Sequence, residues 1–485
     1  MTEERVDYPC FVSAALPDAD IRVHELRGTH ELGALWEVEV SLLIDDDLLL
    51  DADALIEAPA AVYQAATGGI AEAPFYGMVR EVELLRALPG HYSHYRVVLV
   101  PNLWVLTQVV RSRVFLDASV PTILEQVLGD AGLEADTDYV LSLEATYPTR
   151  ELTVQYRESD FDFLARLLEH EGITFFAQVQ EGHESWVFTD GSNAFTDTAA
   201  GDIPFLLRDT TDLYELGLHS LRVRTSSVPS RLITRDYAPA QPLVRIEASE
   251  TVTGSGIGMV FLHDDHLRDD ADAARLARVR AEELAVAGHV ARATGFVREL
   301  RAGQLLTLVG HPIDELNRTW LVVLVDYAQT AEHEDTGPSM RIEMIPSDVP
   351  YRPARLTRKP RVSGIHMAHV DGEVVGVPAP LDDEGRYKVV LPWDLVGAPG
   401  GHASSWLRMA QVHSGPGYGT HFPLHVGTEV LIAYVDGDPD RPIIVGSVPN
   451  PATTTTVTSA NATQSVVKSK AGIVQEYEDD ALPDR

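Results

Sequence analysis

The first place to look for hydrolytic chemistry in this 485-residue chain is its five His-Glu pairs, which begin at His24, His30, His170, His183 and His333. A metalloprotease helix needs a second histidine four positions after the first, so that both rings reach one zinc ion. Gly28, Ala34, Thr174, Val187 and Gly337 stand in those places. No lysine follows a glycine, which excludes a Walker-type phosphate loop, and no Gly-x-Ser-x-Gly nucleophile elbow occurs. Gly254-Ser255-Gly256-Ile257-Gly258 lacks the rest of a dinucleotide fingerprint and reads as a flexible loop. Asp436, Asp438 and Asp440 have the spacing that opens a calcium loop, but Arg441 and Ser447 replace its required glycine and glutamate. His402, His413, His421 and His425 form the remaining group. Pro423 lies between the last two and keeps them off a shared helical face, so they read as loop histidines. Cys10 is the only cysteine, so neither an intrachain disulfide nor a Cys-based zinc site can form. The expectation is a protein without catalytic residues, cofactor or metal.

Charge narrows the partners. With 38 basic and 73 acidic residues the formal net charge is −35, and phosphate neutralisation needs clustered Lys and Arg, so nucleic acid is not an expected partner. Lysine is confined to Lys359, Lys388, Lys468 and Lys470. No apolar run approaches the ~18 residues that would span a bilayer. Met1-Thr2-Glu3-Glu4-Arg5 lacks a basic region leading into an apolar one, so export without a conventional signal peptide is expected.

The elements are mostly strands. Trp36, Val38, Val40 and Leu42 alternate with polar residues, and Tyr95, Val97 and Leu99 repeat the pattern of a half-buried strand. Asp45-Asp46-Asp47 reads as a solvated turn. Three helices are expected as packing elements. One opens at Ser119 and Pro121, carries Ile123, Leu124, Val127 and Leu128, and ends near Gly132. A second starts at Ser159, with Phe161, Leu164, Leu167 and Leu168 on one face, and stops at Gly172. A third runs from Asp269 to Ala287, with acidic residues at its positive end. Residues 350–361 hold three prolines and five basic residues, which suits an interdomain linker or a basic segment laid on acidic protein surface. Beyond it, Asp383-Glu384-Gly385 turns into a strand from Arg386 to Leu391. Further strands are read at Trp406–Val412, Val430–Val435 and Ile443–Val448, enough for a small closed barrel.

That barrel carries a resemblance. Asp383 to Val389, Trp406 to Gln411, Gly415-Pro416-Gly417-Tyr418-Gly419 through Pro423, Val426 to Val430, and Asp436 to Ile444 resemble the OB-fold domain of the VgrG spike family of type VI secretion. Upstream, Glu158 to Phe163 through Glu171-Gly172-Ile173 is similar to the family's hub-region helix. The resemblance implies a mainly-β chain divided into a hub region over residues 1–349 with two tail-tube-like β-barrels and helical insertions, a linker at 350–361, an OB-fold domain at 362–450, and a neck at 451–485 where a triple-stranded β-helix needle begins. It also implies a homotrimer that docks on a hexameric inner tube protein, contacts baseplate proteins, bears a spike-tip capping protein, and carries effectors or their adaptors. Assembly would occur in the cytoplasm, with delivery outside the cell or into target cells.

Two architectures share these features, the type VI spike and the spike of an extracellular contractile particle or phage tail. An effector-bearing enzyme needs more chain than the roughly 35 residues after the barrel. A glycan-binding OB module needs exposed aromatic residues, for which Trp393 and Tyr418 are the candidates. Residues 451–485 have β character but little apolar surface, so they are expected to order only where three copies wrap together.

Overall fold

A computed structural model describes residues 9–17, 21–45, 49–63, 75–88, 92–180, 182–207, 216–263, 265–330 and 339–480. Asp46, Asp47 and His333 lie outside these residues. The chain divides into two compact units. The first comprises Met1–Val109, Val120–Tyr147 and Asp160–Arg358; the second comprises Val110–Ser119, Pro148–Ser159 and Lys359–Arg485. The break near residue 358 falls inside the expected linker. Two earlier segments, which a linear reading gives to the hub region, instead belong to the second unit.

In the first unit, β1 (Cys10–Ser13), β2 (Ile21–Glu31), β3 (Glu37–Asp45), β4 (Pro59–Tyr63), β5 (Phe75–Leu88) and β6 (Tyr92–Val100) form one half of a large antiparallel sheet. The alternation in β3 decides which face turns inward: Val38, Val40, Leu42 and Ile44 are fully buried, while Glu37 and Ser41 lie on the other face. Register breaks between Val23 and Glu25, Val79 and Glu81, and Leu84 and Arg86 each add a residue to one strand. Such bulges bend the strand and tighten its twist, which suits the curled sheet seen here.

Next along the chain come β7 (Val110–Ala118), β8 (Tyr139–Ser142), β9 (Arg150–Ser159), β10 (Thr174–Gln180) and β11 (His183–Thr189); β7 and β9 pair with each other and belong to the second unit. Strands β10, β11 and β8 make a small sheet of their own. After one-turn helices α1 (Ala52–Leu55) and α2 (Val105–Gln108), the longer helices are α3 (Val120–Asp130), α4 (Asp160–Glu171) and α5 (Asp270–Val286). All three longer helices stand where the sequence places them. Asp269 caps α5 by accepting from the Asp272 N–H at 2.8 Å. In α4 the innermost residue is Phe163, while the expected Phe161 is only half-buried.

The short strands β12 (Thr196–Asp197) and β13 (Ile203–Pro204) precede β14 (Gly217–Thr225). Next come β15 (Arg231–Asp236), β16 (Ile246–Thr251) and β17 (Met259–His263), then β18 (His289–Phe296), β19 (Gln304–Val309), β20 (Thr319–Thr330) and β21 (Ser339–Pro346). The main sheet runs β1-β4-β5-β6-β3-β2-β20-β21-β18-β14, with β12, β13 and β19 attached at β20. Its two halves are joined into one sheet through the antiparallel β2–β20 pair, from Glu25↔Thr330 to Glu31↔Leu324. Phe75 stacks on Tyr327 with ring centroids 5.1 Å apart and meets Trp36 edge-on, so one aromatic cluster binds both halves.

The second unit is built on β22 (His366–Val370), β23 (Val389–Val390), the tight pair β24 (Ser414–Gly415) and β25 (Tyr418–Gly419), β26 (Glu429–Tyr434) and β27 (Pro442–Ser447). The sheet order is β23-β22-β26-β27. Trp406–Val412 does not form the regular strand expected of it, yet it closes the barrel. Leu407 exchanges both backbone hydrogen bonds with Tyr387, at 2.9 and 2.7 Å, and Ala410 donates to the Ile444 carbonyl at 2.7 Å. The circuit has no free edge, which is the barrel's advantage over an open sheet. The antiparallel β7–β9 pair packs on this barrel, with Val154 and Tyr156 inside the same core as Tyr387, Val389, Val430 and Ile432.

Residues 464–478 differ from expectation. Strands β28 (Gln464–Lys468) and β29 (Val474–Glu478) pair within one chain as an antiparallel hairpin, from Gln464↔Glu478 to Lys468↔Val474. Local pairing across a short turn satisfies the backbone groups that a lone strand would leave to water. The hairpin stays largely exposed.

Candidate assembly surfaces

The barrel's shape depends on three aspartates, each serving backbone donors. Asp382 sets the turn before β23: Oδ1 accepts from the N–H groups of Glu384 at 3.0 Å and Arg386 at 2.8 Å. Its other oxygen takes the Arg386 guanidinium. Gly385 follows with φ +73°, a conformation that a Cβ opposes. Asp371, at the end of β22, is 4% exposed and accepts from the N–H groups of Gly372, Gly400, Gly401 and Ala403 at 2.8–3.1 Å. Burial alone would raise its pKa, but these four donors outweigh burial and hold it below the usual carboxylate range.

Asp440 does something sequence reasoning did not anticipate. The tight turn before β27 is held locally by Asp438, which accepts from the Asp440 N–H at 2.9 Å and, through its carbonyl, from Arg441 at 3.0 Å. The Asp440 carboxylate instead accepts from the Val154 N–H of β9 at 2.6 Å. Lys359 bridges Asp438 and Asp440 at 2.6 and 2.7 Å. Two of the three carboxylates spaced like a calcium loop thus serve an ion pair and a clasp on β9.

The aromatic and histidine candidates separate. Trp393 packs edge-on to Tyr156 at 5.5 Å, against the barrel core, whereas Tyr418 is exposed at the β24–β25 tip beside His413. His421 lies parallel to the buried Tyr387 ring, and its Nε2 is 3.2 Å from the tyrosine hydroxyl.

On the first unit, the outward face of the main sheet is a ladder of cross-strand ion pairs. Arg96 on β6 reaches Glu39 on β3 and Glu81 on β5, while Arg292 on β18 meets Glu343 on β21. Exposed pairs of this kind add little stability, but they fix register and exclude apolar neighbours. The basic segment before the unit boundary is anchored at many points. Arg352 reaches Glu282 at 2.7 Å and the carbonyls of Gly172 and Asp190, and Arg355 pairs with Asp265 at 2.9 Å. Glu169 accepts from the N–H groups of Leu356 and Thr357. The part of residues 350–361 that precedes the break is thus laid on acidic partners of its own unit.

A curled hub sheet and a closed five-segment barrel define a protein of the contractile-tail hub and spike class. Residues 29–332 match the family described as "Phage tail baseplate hub (GPD)", and residues 370–448 match the "Type VI secretion system/phage-baseplate injector OB domain". The chain belongs to the VgrG family of type VI secretion spike proteins, which is related to phage baseplate hubs. It is 31% identical over 399 residues to the type VI secretion system spike protein VgrG1b of Pseudomonas aeruginosa, covering 79% of this chain and 53% of that protein. Against VgrG1c of the same species it is 30% identical over 472 residues, covering 95% and 64%. The chain thus spans between about half and two-thirds of the length of these relatives. The Escherichia coli c3393 protein, described as a component of the type VI secretion system similar in structure to T4 phage tail proteins gp27 and gp5, superposes with TM-score 0.68. That match has 20% identity and covers 90% of this chain and all of the other. A chain of the Francisella PdpA–VgrG complex, in its half-lidded form, gives TM-score 0.62 at 10% identity, covering 94% of this chain and 79% of that one. Among the described residues no helix is long and apolar enough to cross a membrane.

Proposed function

We propose that the chain acts mechanically, as the trimeric hub and central spike of a type VI secretion machine. In this reading it docks on a hexameric inner tube, carries effectors or their adaptors, and is driven through a target membrane when the sheath contracts. It is assembled in the cytoplasm and leaves with the spike. The β28–β29 hairpin carries the reading. Val467, Ile473, Val474 and Tyr477 are exposed on it, and it pairs with no further strand among the described residues. An isolated two-stranded ribbon is marginal in water, so a wrap of three copies would supply the cover it lacks. Each copy brings a formal charge of −35, so association should strengthen as salt screens the mutual repulsion. Light scattering at low and high salt is expected to show a trimer mass favoured by salt. A monomer mass at every salt and protein concentration would overturn the reading.

The same proposal excludes a chemical step by this chain. Ser41 and His94 share a hydrogen bond, with His24 edge-on at 5.6 Å, but they lie on the outward sheet face, and general-base catalysis needs a recess that holds substrate and excludes bulk water. Pure protein is expected to release nothing from peptidoglycan, lipid or nucleotide substrates. Release that disappears in Ser41→Ala or His94→Gln would count against a purely mechanical role.

A further inference from the structure

Strands β15, β16 and β17, with α5, form an insertion between β14 and β18, which pair directly with each other. One face of this three-stranded sheet is closed by α5, through Ile246, Ala273 and Leu276. The other face is open. Along β17 the first two of three outward positions are apolar, Met259 at 62% and Phe261 at 48% exposed, the third is His263, and Ile257, just before the strand, is 82% exposed. The order β16-β15-β17 makes β17 an edge strand, so between Met259 and Leu262 one row of backbone N–H and C=O groups has no sheet partner among the described residues.

The charge beside this stripe is opposite to that of the chain. Parallel register sets Arg231 beside Met259 and Arg235 two rows on, beside His263, with the Arg235 guanidinium lying over the Phe261 ring at 5.5 Å. Arg235 and Arg245 share a single carboxylate, Glu247, and Arg231 bonds the neutral Ser249 hydroxyl. Three guanidiniums against one carboxylate leave the face basic, in a chain of net charge −35.

We propose that this face binds an extended acidic segment of another protein, added as a fourth strand to the free edge of β17. Main-chain bonds to the edge would supply affinity that does not depend on sequence. Alternate apolar side chains would cover Met259 and Phe261, and carboxylates on the same face would meet Arg235 and Arg231. Basic side chains at those positions would face guanidiniums, which selects against them. The site is separate from the spike's mechanical role and does not depend on it.

The test uses the whole chain and labelled synthetic peptides of about nine residues, long enough to span an edge strand. One peptide carries valine and glutamate in turn at its odd positions with threonine between them, so that one face of the strand shows both; a second has lysine in place of glutamate, and a third is the glutamate peptide with a central proline. Anisotropy gives binding, and hydrogen exchange gives the location. The glutamate peptide is expected to bind, to weaken as salt rises, and to protect β17 amides. The lysine and proline peptides are expected to bind at least about tenfold more weakly. Met259→Glu combined with Phe261→Glu should remove binding, as should Arg235→Glu, while Leu356→Glu elsewhere on the first unit should leave it unchanged. Where the double variant loses α5 protection and so has lost its fold, Arg231→Glu and Arg235→Glu, both on the open face, carry the comparison. Equal binding of the lysine peptide overturns the proposal, and so does protection confined to other strands. Two further results overturn it: self-association lost in the double variant without peptide protection of β17, which makes the occupant a second copy, or protection of β17 by phosphatidylglycerol vesicles and not by the peptide.

Discussion

Replacing Asp371 with alanine is expected to destabilise the barrel by about 3 kcal/mol, because hydrogen bonds to a charged group contribute roughly 1.5–3 kcal/mol each and part of the loss is recovered by water. The carboxylate accepts from four N–H groups, three of which belong to the loop around Gly400–Ala403. That loop has no regular structure, and Gly400 and Gly401 adopt φ of +107° and +92°, so little else prescribes its path. Lys388 reaches the Gly401 carbonyl at 2.8 Å and lies over the Trp406 ring, so a loosened loop also frees the segment that closes the barrel through Leu407. Asp371→Asn keeps the shape but turns one acceptor into a donor that faces other donors, and should recover less than half of the loss. The pH dependence has a definite sign. The folded carboxyl titrates below its unfolded value, so its contribution is complete above the unfolded pKa near 3.8 and disappears as pH falls through the folded value. Hydrogen exchange at Gly400, Gly401 and Ala403 reads the effect directly. Unchanged protection in Asp371→Ala would show that the loop is held by other contacts.

Local pattern made much of this molecule legible, and distance hid the rest. The alternation from Trp36 to Ile44 states its own inner face, and Gly132 and Gly172 mark helix ends by their positive φ, because these signals act between residues a few positions apart. The β2–β20 pair that fuses the halves of the main sheet joins residues roughly 300 positions apart, and no periodicity within either strand names its partner. Strand β22 was missed because its inward residues are only Ala368 and Val370, a weak apolar signal for a strand at the barrel's centre. The segment from Trp406 reads as a strand from composition, yet it makes only bridges at Leu407 and Met409, since barrel closure needs few pairings there. Asp440 illustrates the limit at the level of one side chain. Its setting between Pro439 and Pro442 predicts a turn residue, but its carboxylate is used 286 positions away, on a strand that only the fold brings near.

Glu184 gives the second large effect, a loss of stability between pH 6.5 and 8 that Glu184→Gln should abolish. The carboxyl sits under the first unit's sheet, where its Oε2 accepts from the Trp36 indole N–H at 2.7 Å. Burial pushes its pKa up to about 8, and the buried Arg301 and the Trp36 bond only partly oppose this. His30 lies in the same interior, where its Nδ1 accepts from the Ala302 N–H at 3.0 Å; burial and then Arg301 lower it to about 3. The two groups act in opposite directions. Between pH 3 and 4.5 the unfolded chain binds the extra proton at histidine, so stability rises with pH. From 4.5 to 6.5 the folded chain binds an extra proton at Glu184 while the unfolded chain still binds one at His30, and the two contributions cancel. Above 6.5 only Glu184 remains, and at about 1.4 kcal/mol per pH unit the fall up to pH 8 is about 2 kcal/mol. Glutamine keeps an acceptor for the Trp36 indole but has no proton to lose, so the variant should be flat across that window while still rising with pH below 6.5. Urea midpoints followed by tryptophan emission at pH 6.5 and 8 compare the two chains. An equal drop in both would place the titrating group elsewhere in the fold.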